Sequence, residues 1–187
     1  MSNWSLDSGV LACSGRPLFQ DVGAGLALEA DATGAGAFLV ASPQVRPFWA
    51  YTVLGRPVDF TRFASTHVLP FSPFWMRPAA GVDLAAMPPM TCWLLIGHAD
   101  GAYTMVAMLP SAAECNFLCW RDRALQVYSE TGDMDQRVAG GLCAYVAHGT
   151  DPFELAEKGA AAVSARLPTA KLRRSKKLPP FIDKFGW

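Results

Sequence analysis

The sequence carries no surplus of charge. Sixteen Lys and Arg balance sixteen Asp and Glu over 187 residues, so no global field recruits nucleic acid or an anionic membrane surface. Long apolar runs are missing too. The strongest, around residues 93–96 and 103–109, fall far below the roughly 20 residues of a membrane-spanning helix, and the chain reads as soluble with no membrane partner. Its first residues, Met1-Ser-Asn-Trp-Ser-Leu-Asp7, lack the basic and apolar regions of a secretory signal. The five cysteines, Cys13, Cys92, Cys115, Cys119 and Cys143, contain no C-x-x-C pair and sit among apolar neighbours, as reduced core thiols do. Together these absences lead to the expectation of a cytoplasmic protein. His67, His98 and His148 lack metal-ligand spacing and read as strand-end or surface residues. The glycines at 31–36 lack the strand-to-helix setting of a phosphate loop. No metal and no cofactor is implied.

What the sequence does have is 51% hydrophobic residues, enough for a sizeable core. From Trp4 to about Ala147 they come in short runs punctuated by Gly, Pro, Asp and Ser, the pattern of consecutive strands joined by tight turns. Residues 9–14, 25–29 and 36–41 are strand candidates, with a turn at 31–36. Asp100-Gly101 predicts a two-residue hairpin turn between runs 92–98 and 103–109. A second hairpin is expected to join 115–120 to 124–129 through Arg121-Asp-Arg123. Alternation puts Cys115, Phe117 and Cys119 on one face and Leu125 with Val127 on one face. Residues 141–147 read as a further buried strand after a turn at 130–133.

The period changes at residue 149. Asp151 is placed to cap a helix, Pro152 suits its first position, and Glu154 completes a capping box. Phe153, Ala156, Ala160, Val163 and Leu167 recur at helical spacing as the expected buried stripe, and Pro168 stops the run. The basic segment Lys171-Leu-Arg-Arg-Ser-Lys-Lys177 has no interleaved aromatics, so it reads as a solvated linker and not as a nucleic-acid site. An apolar strand-like run, Pro180-Phe-Ile-Asp-Lys-Phe-Gly-Trp187, follows it.

Gly149-Thr-Asp-Pro-Phe-Glu-Leu, the helix after it and the Phe185-Gly-Trp187 segment resemble the raffinose synthase family. That family includes galactinol–sucrose galactosyltransferases and alkaline α-galactosidases, or seed imbibition proteins. Ser5-Leu-Asp-Ser-Gly-Val-Leu11, Gly36-Ala-Phe-Leu39, Arg62-Phe63, Phe74-Trp-Met-Arg77, Tyr103-Thr104 and Ser129-Glu-Thr-Gly-Asp133 follow in the family's order, so the likeness spans nearly the whole chain. It implies a mainly β fold: an antiparallel β-sandwich over residues 1–148, a connecting helix and basic linker over 149–178, and over 179–187 the first strand of a (β/α)₈ barrel that this chain lacks. That barrel would be the sandwich's partner, and α-galactosides and sucrose-type sugars the ligands of the full enzyme. Active sites of such barrels lie at the carboxyl ends of the strands, towards which Trp187 would point.

Glycosidic chemistry of this kind uses two facing carboxylates, about 5–5.5 Å apart where configuration is retained. The acids here are dispersed over turns with no paired motif, and Asp151 reads as a cap. No catalytic residue is assigned. Trp75 and Arg77 are the candidate sugar-contacting residues, because an aromatic face stacks on a sugar ring and a guanidinium binds its hydroxyls, although packing competes for Trp75. The segment departs from the family's Trp-Trp-Met-Thr-Gln-Arg-Met-Gly, having Phe74-Trp-Met-Arg-Pro-Ala-Ala-Gly81. Phe48, Trp49 and Tyr51 form a second aromatic cluster, assigned to packing. The sequence thus leads to the amino-terminal sandwich of a raffinose-synthase-like enzyme, inactive alone. A stand-alone carbohydrate-binding or interaction module is the alternative.

Overall fold

A computed structural model of the chain describes residues 3–45, 49–58, 68–71, 91–109, 114–131, 137–138 and 140–167. The strands are β1 (Trp4–Asp7), β2 (Val10–Cys13), β3 (Arg16–Gln20), β4 (Leu26–Ala30), β5 (Gly36–Ala41), β6 (Gln44–Val45) and β7 (Trp49–Pro57), then β8 (Val68–Phe71), β9 (Trp93–Gly97), β10 (Tyr103–Met108), β11 (Glu114–Arg121), β12 (Ala124–Thr131), β13 (Arg137–Val138) and β14 (Gly141–Gly149). Helix α1 (Pro152–Arg166) follows. The strands form two six-stranded antiparallel sheets, β1-β2-β3-β7-β12-β11 and β4-β5-β14-β10-β9-β8, with β13 and β6 paired separately. The expected β-sandwich is therefore what the chain builds. The expected barrel strand at 179–187 and the linker at 171–177 lie outside the described residues, as does Phe48.

The sheets face each other across one core. Leu11, Leu18, Phe19, Leu54, Leu118, Leu125 and Val127 come from the first sheet, and Leu39, Leu94, Ile96, Val106, Ala144 and Val146 from the second. Leu125 and Val127 do share the inward face. On β11 the inward residue is Leu118, while Phe117 packs on the other face against Tyr128 with ring centroids 5.7 Å apart. A bridge stitches the sheets where the chain enters β9: Thr91 N–H donates to Leu118 O at 3.0 Å and Leu118 N–H to Thr91 O at 2.7 Å.

The second sheet is covered on both faces. Its outer side carries Phe38, Met105, Ala107, Tyr145 and Ala147, roofed by Leu155 and Ala162 of α1. This explains why β14 is buried at every position from Cys143 to Ala147 and does not alternate. Asp31 is 8% exposed at the β4–β5 turn. It accepts from Thr33 N at 3.1 Å, from Thr33 Oγ1 at 2.6 Å and from the phenol of Tyr145 at 3.2 Å. Burial first, then the charge of Asp31, pushes the Tyr145 phenol well above the usual tyrosine range, so it remains a proton donor.

Two expectations about turns need correction. Asp100-Gly101 is not a two-residue turn. The loop is closed by His98 N–H to Ala102 O at 2.8 Å and Gly101 N–H to His98 O at 3.0 Å, so three residues span it. Gly101 takes the left-handed position at φ +83°, the form that follows a type I turn with a bulge. In the β11–β12 hairpin, Arg121 pairs with Ala124. Asp122 and Arg123 alone therefore make the turn, both at positive φ (52° and 62°).

The helix start is as expected: Asp151 Oδ1 accepts from Phe153 N at 2.8 Å and Glu154 N at 3.2 Å. Glu154, expected to complete the capping box, pairs one turn on with Lys158 at 2.6 Å. The expected buried stripe holds only in its second half, where Val163 and Leu167 pack against the outer cluster. The helix buries Leu155, Gly159 and Ala162, whereas Phe153 is 84% exposed and Ala156 is exposed. Close approach decides this, because a Cβ on Gly159 would come within 3.2 Å of Tyr145 Cε1. Asp151→Ala, which removes the cap, is expected to cost about 1 kcal/mol. Chemical denaturation measures the loss, and faster amide exchange confined to the first turn of α1 locates it.

Candidate functional site

Trp75, Arg77 and Trp187, the sequence-predicted sugar contacts, lie outside the described residues. What the structure does bring together is a polar cluster at one end of the sandwich that sequence reasoning treated as separate histidines. Thr104, second residue of β10, is buried and lies opposite His148 in the β10–β14 register. His98 reaches it from the end of β9 across the bulged loop. Thr104 Oγ1 is 2.7 Å from His98 Nε2 and 3.0 Å from His148 Nδ1, and the two rings meet edge to face at 5.5 Å between centroids. One hydroxyl has one proton to give. It donates to one imidazole and accepts from the other, an arrangement satisfied with both rings neutral.

The electrostatics hold them neutral. Burial, then the Arg16 guanidinium and His148, lowers His98 to a pKa of about 4, against a weaker opposing pull from Asp100. Burial, then Arg16, likewise lowers His148. Arg16 forms an ion pair with Asp100, and that hydrogen bond holds the Asp100 carboxyl at about 2. The pair ties the β2–β3 hairpin of one sheet to the β9–β10 loop of the other. The Arg16 position follows from the Ser14-Gly15 turn, where both residues adopt positive φ (50° and 77°).

Beside the cluster a cleft of about 700 Å³ opens between the sandwich end and α1, lined among others by Ser14, Thr33, His148, Thr150, Glu154 and Lys158. Its hydroxyls and neutral imidazole both donate and accept, which suits a neutral hydroxylated ligand better than an ionised one. Its two acids are already engaged, Asp151 by helix amides and Glu154 by Lys158. Among the described residues no group of three His, Cys, Asp or Glu converges as a metal site, and no helix is long and apolar enough to cross a membrane. An imidazole with a pKa near 4 is a weak base, poorly matched to proton transfer at neutral pH.

Fold and cluster define a two-sheet antiparallel β-sandwich whose second sheet is roofed by a helix, with polar groups that hold one another in place. The chain belongs to the family described as raffinose synthase or seed imbibition protein Sip1, whose model matches residues 31–187. It is 30% identical over 134 residues to a probable galactinol–sucrose galactosyltransferase 1 of Arabidopsis thaliana, an alignment covering 64% of this chain and 18% of that protein. Against the galactinol–sucrose galactosyltransferase of Oryza sativa subsp. japonica it is 26% identical over 198 residues, covering 95% of this chain and 25% of the relative. The chain thus spans only a quarter or less of the length of these curated relatives.

Proposed function

We propose that this chain is the amino-terminal β-sandwich part of a cytoplasmic raffinose-synthase-like enzyme, a galactinol–sucrose galactosyltransferase or α-galactosidase. The sandwich occupies residues 1–148, the connecting helix and linker 149–178, and 179–187 begin a (β/α)₈ barrel that performs the chemistry. The family match over residues 31–187, by a chain so much shorter than its relatives, carries this reading. The described acids support it. Asp21, Glu29, Asp31, Asp100, Asp151 and Glu154 are each engaged by a hydrogen bond or ion pair within the sandwich or with helix α1. In the full enzyme Trp75 stacks on a sugar ring, Arg77 binds its hydroxyls and Trp187 lies at the barrel pocket.

The purified 187-residue chain is therefore expected to release no galactose from α-galactosides and to form no raffinose from galactinol and sucrose, while the full-length protein does one or the other. Turnover by the isolated chain would sink the proposal. The cleft lined by Ser14, Thr33, His148 and Thr150 is the observation favouring a stand-alone carbohydrate-binding module. Its signature is saturable raffinose binding by a protein with no catalytic continuation.

A further inference from the structure

Helix α1 carries two apolar arcs; the sheet covers one and only the far end of the other, where Val163 and Leu167 pack. Leu155, Gly159 and Ala162 are buried against β10 and β14. Phe153, Ala156 and Ala160 lie about 100–160° round the axis from Leu155 at 3.6 residues per turn. Phe153 is the one large hydrophobic residue that is exposed among the described residues, and Ala156 beside it is exposed as well. The sequence wrote this arc as buried; the sandwich half-buries Ala160 and leaves Phe153 and Ala156 uncovered. An aromatic knob next to a row of alanines lets another helix approach closely, since small side chains shorten the interaxial distance and the knob fills a groove between ridges.

We infer that the Phe153–Ala156–Ala160 arc is a docking face for an apolar helix of the remainder of the same polypeptide, the part that the relatives carry outside the matched region. The inference rests on the proposed function. Size argues for a tethered occupant over a second copy. A stable complex of free proteins buries roughly 800 Å² on each partner, whereas a phenylalanine contributes about 150–250 Å² and two alanines little more. A partner joined through the chain itself needs far less area, because its effective concentration is high. The arc also sits on α1, from which the family match continues to residue 187.

Hydroxyl-radical footprinting of Phe153 tests this directly. Oxidation is expected to be several-fold slower in the full-length protein than in the isolated 187-residue chain, while exposed residues of the Asp122-Arg123 turn react equally in both. Phe153→Asp is expected to leave the melting temperature of the isolated chain unchanged and to open the full-length protein to proteolysis near residue 168. Equal oxidation of Phe153 in both forms overturns the docking face, and if that full-length protein still transfers galactose the proposed function stands. Protection of Phe153 in a full-length protein without galactosyl-transfer or α-galactosidase activity supports the docking face and removes the enzyme reading. Self-association of the isolated chain that Phe153→Asp abolishes would overturn the tethered occupant in favour of a second copy.

Discussion

Gly36→Val is expected to lower the unfolding free energy by about 3 kcal/mol or more, with a fall in melting temperature of roughly 6–12 °C. Gly36 opens β5 and lies opposite Ala147 of β14. A Cβ there would overlap the Tyr145 hydroxyl and sit 2.5 Å from both Tyr145 Cζ and the Val146 backbone oxygen. Neither can yield at small cost. Tyr145 is fully buried, its ring packs tilted against that of Phe38 with centroids 5.0 Å apart, and its hydroxyl is held by Asp31. Gly159 of α1 closes on the same ring, at Cε1 and Cδ1. Two glycines, one on a strand and one on a helix, thus make room for one tyrosine. The clash is specific, so Tyr145→Leu should recover part of the loss, and the two substitutions should be non-additive in a double-mutant cycle. Calorimetry or urea denaturation decides it, and a Gly36→Val protein within 0.5 kcal/mol of the parent, on the order of an ordinary surface change, would show that this packing is wrongly described.

The glycine pair shows where sequence reading reached and where it stopped. Strand existence was legible wherever turn residues bracket apolar runs, as at residues 36–41 and 141–147, and the helix start was legible because Asp151 and Pro152 act through local hydrogen bonding and a fixed φ. The helix face was legible only at its end, in Val163 and Leu167. Hydropathy selects Phe153, Ala156 and Ala160, but Gly159, apolar only by lacking a side chain, is what lets the helix settle on Tyr145. The β9–β10 loop failed for a related reason. An Asp-Gly pair satisfies both a two-residue turn and the left-handed position of a three-residue loop, and only the register of Tyr103 against Gly97 distinguishes them. The His98–Thr104–His148 cluster was invisible, since it depends on β14 pairing with β10 from about forty residues away. Nothing local to His148 announces that partner.

That cluster sets how the sandwich should respond to acid. His98 has a folded-state pKa of about 4, below the ordinary value of about 6.5. Between these values the unfolded chain binds the proton and the folded chain does not, so stability rises with pH across this window. The contribution is complete above pH 6.5 and is lost as pH falls towards 4. His148 is shifted in the same direction and adds to the slope. The Asp100 carboxyl, held at about 2, contributes above its ordinary value near 4 and loses its share only at lower pH, so it does not mask the histidine window. His98 is half-buried and water screens part of the effect, which leaves about 1–2 kcal/mol for this ring. Melting temperature is therefore expected to drop by several degrees between pH 6.5 and 4.5. His98→Gln keeps a hydrogen-bonding group near Thr104 and removes the titration, and its curve should be flatter over that range. A parent protein whose stability is flat from pH 6.5 to 4.5, or a His98→Gln variant with an undiminished slope, would show that the imidazoles are not held neutral. The physical cause is testable in the same series: Arg16→Gln removes the second-largest influence depressing His98 and should move the midpoint of the acid loss to higher pH.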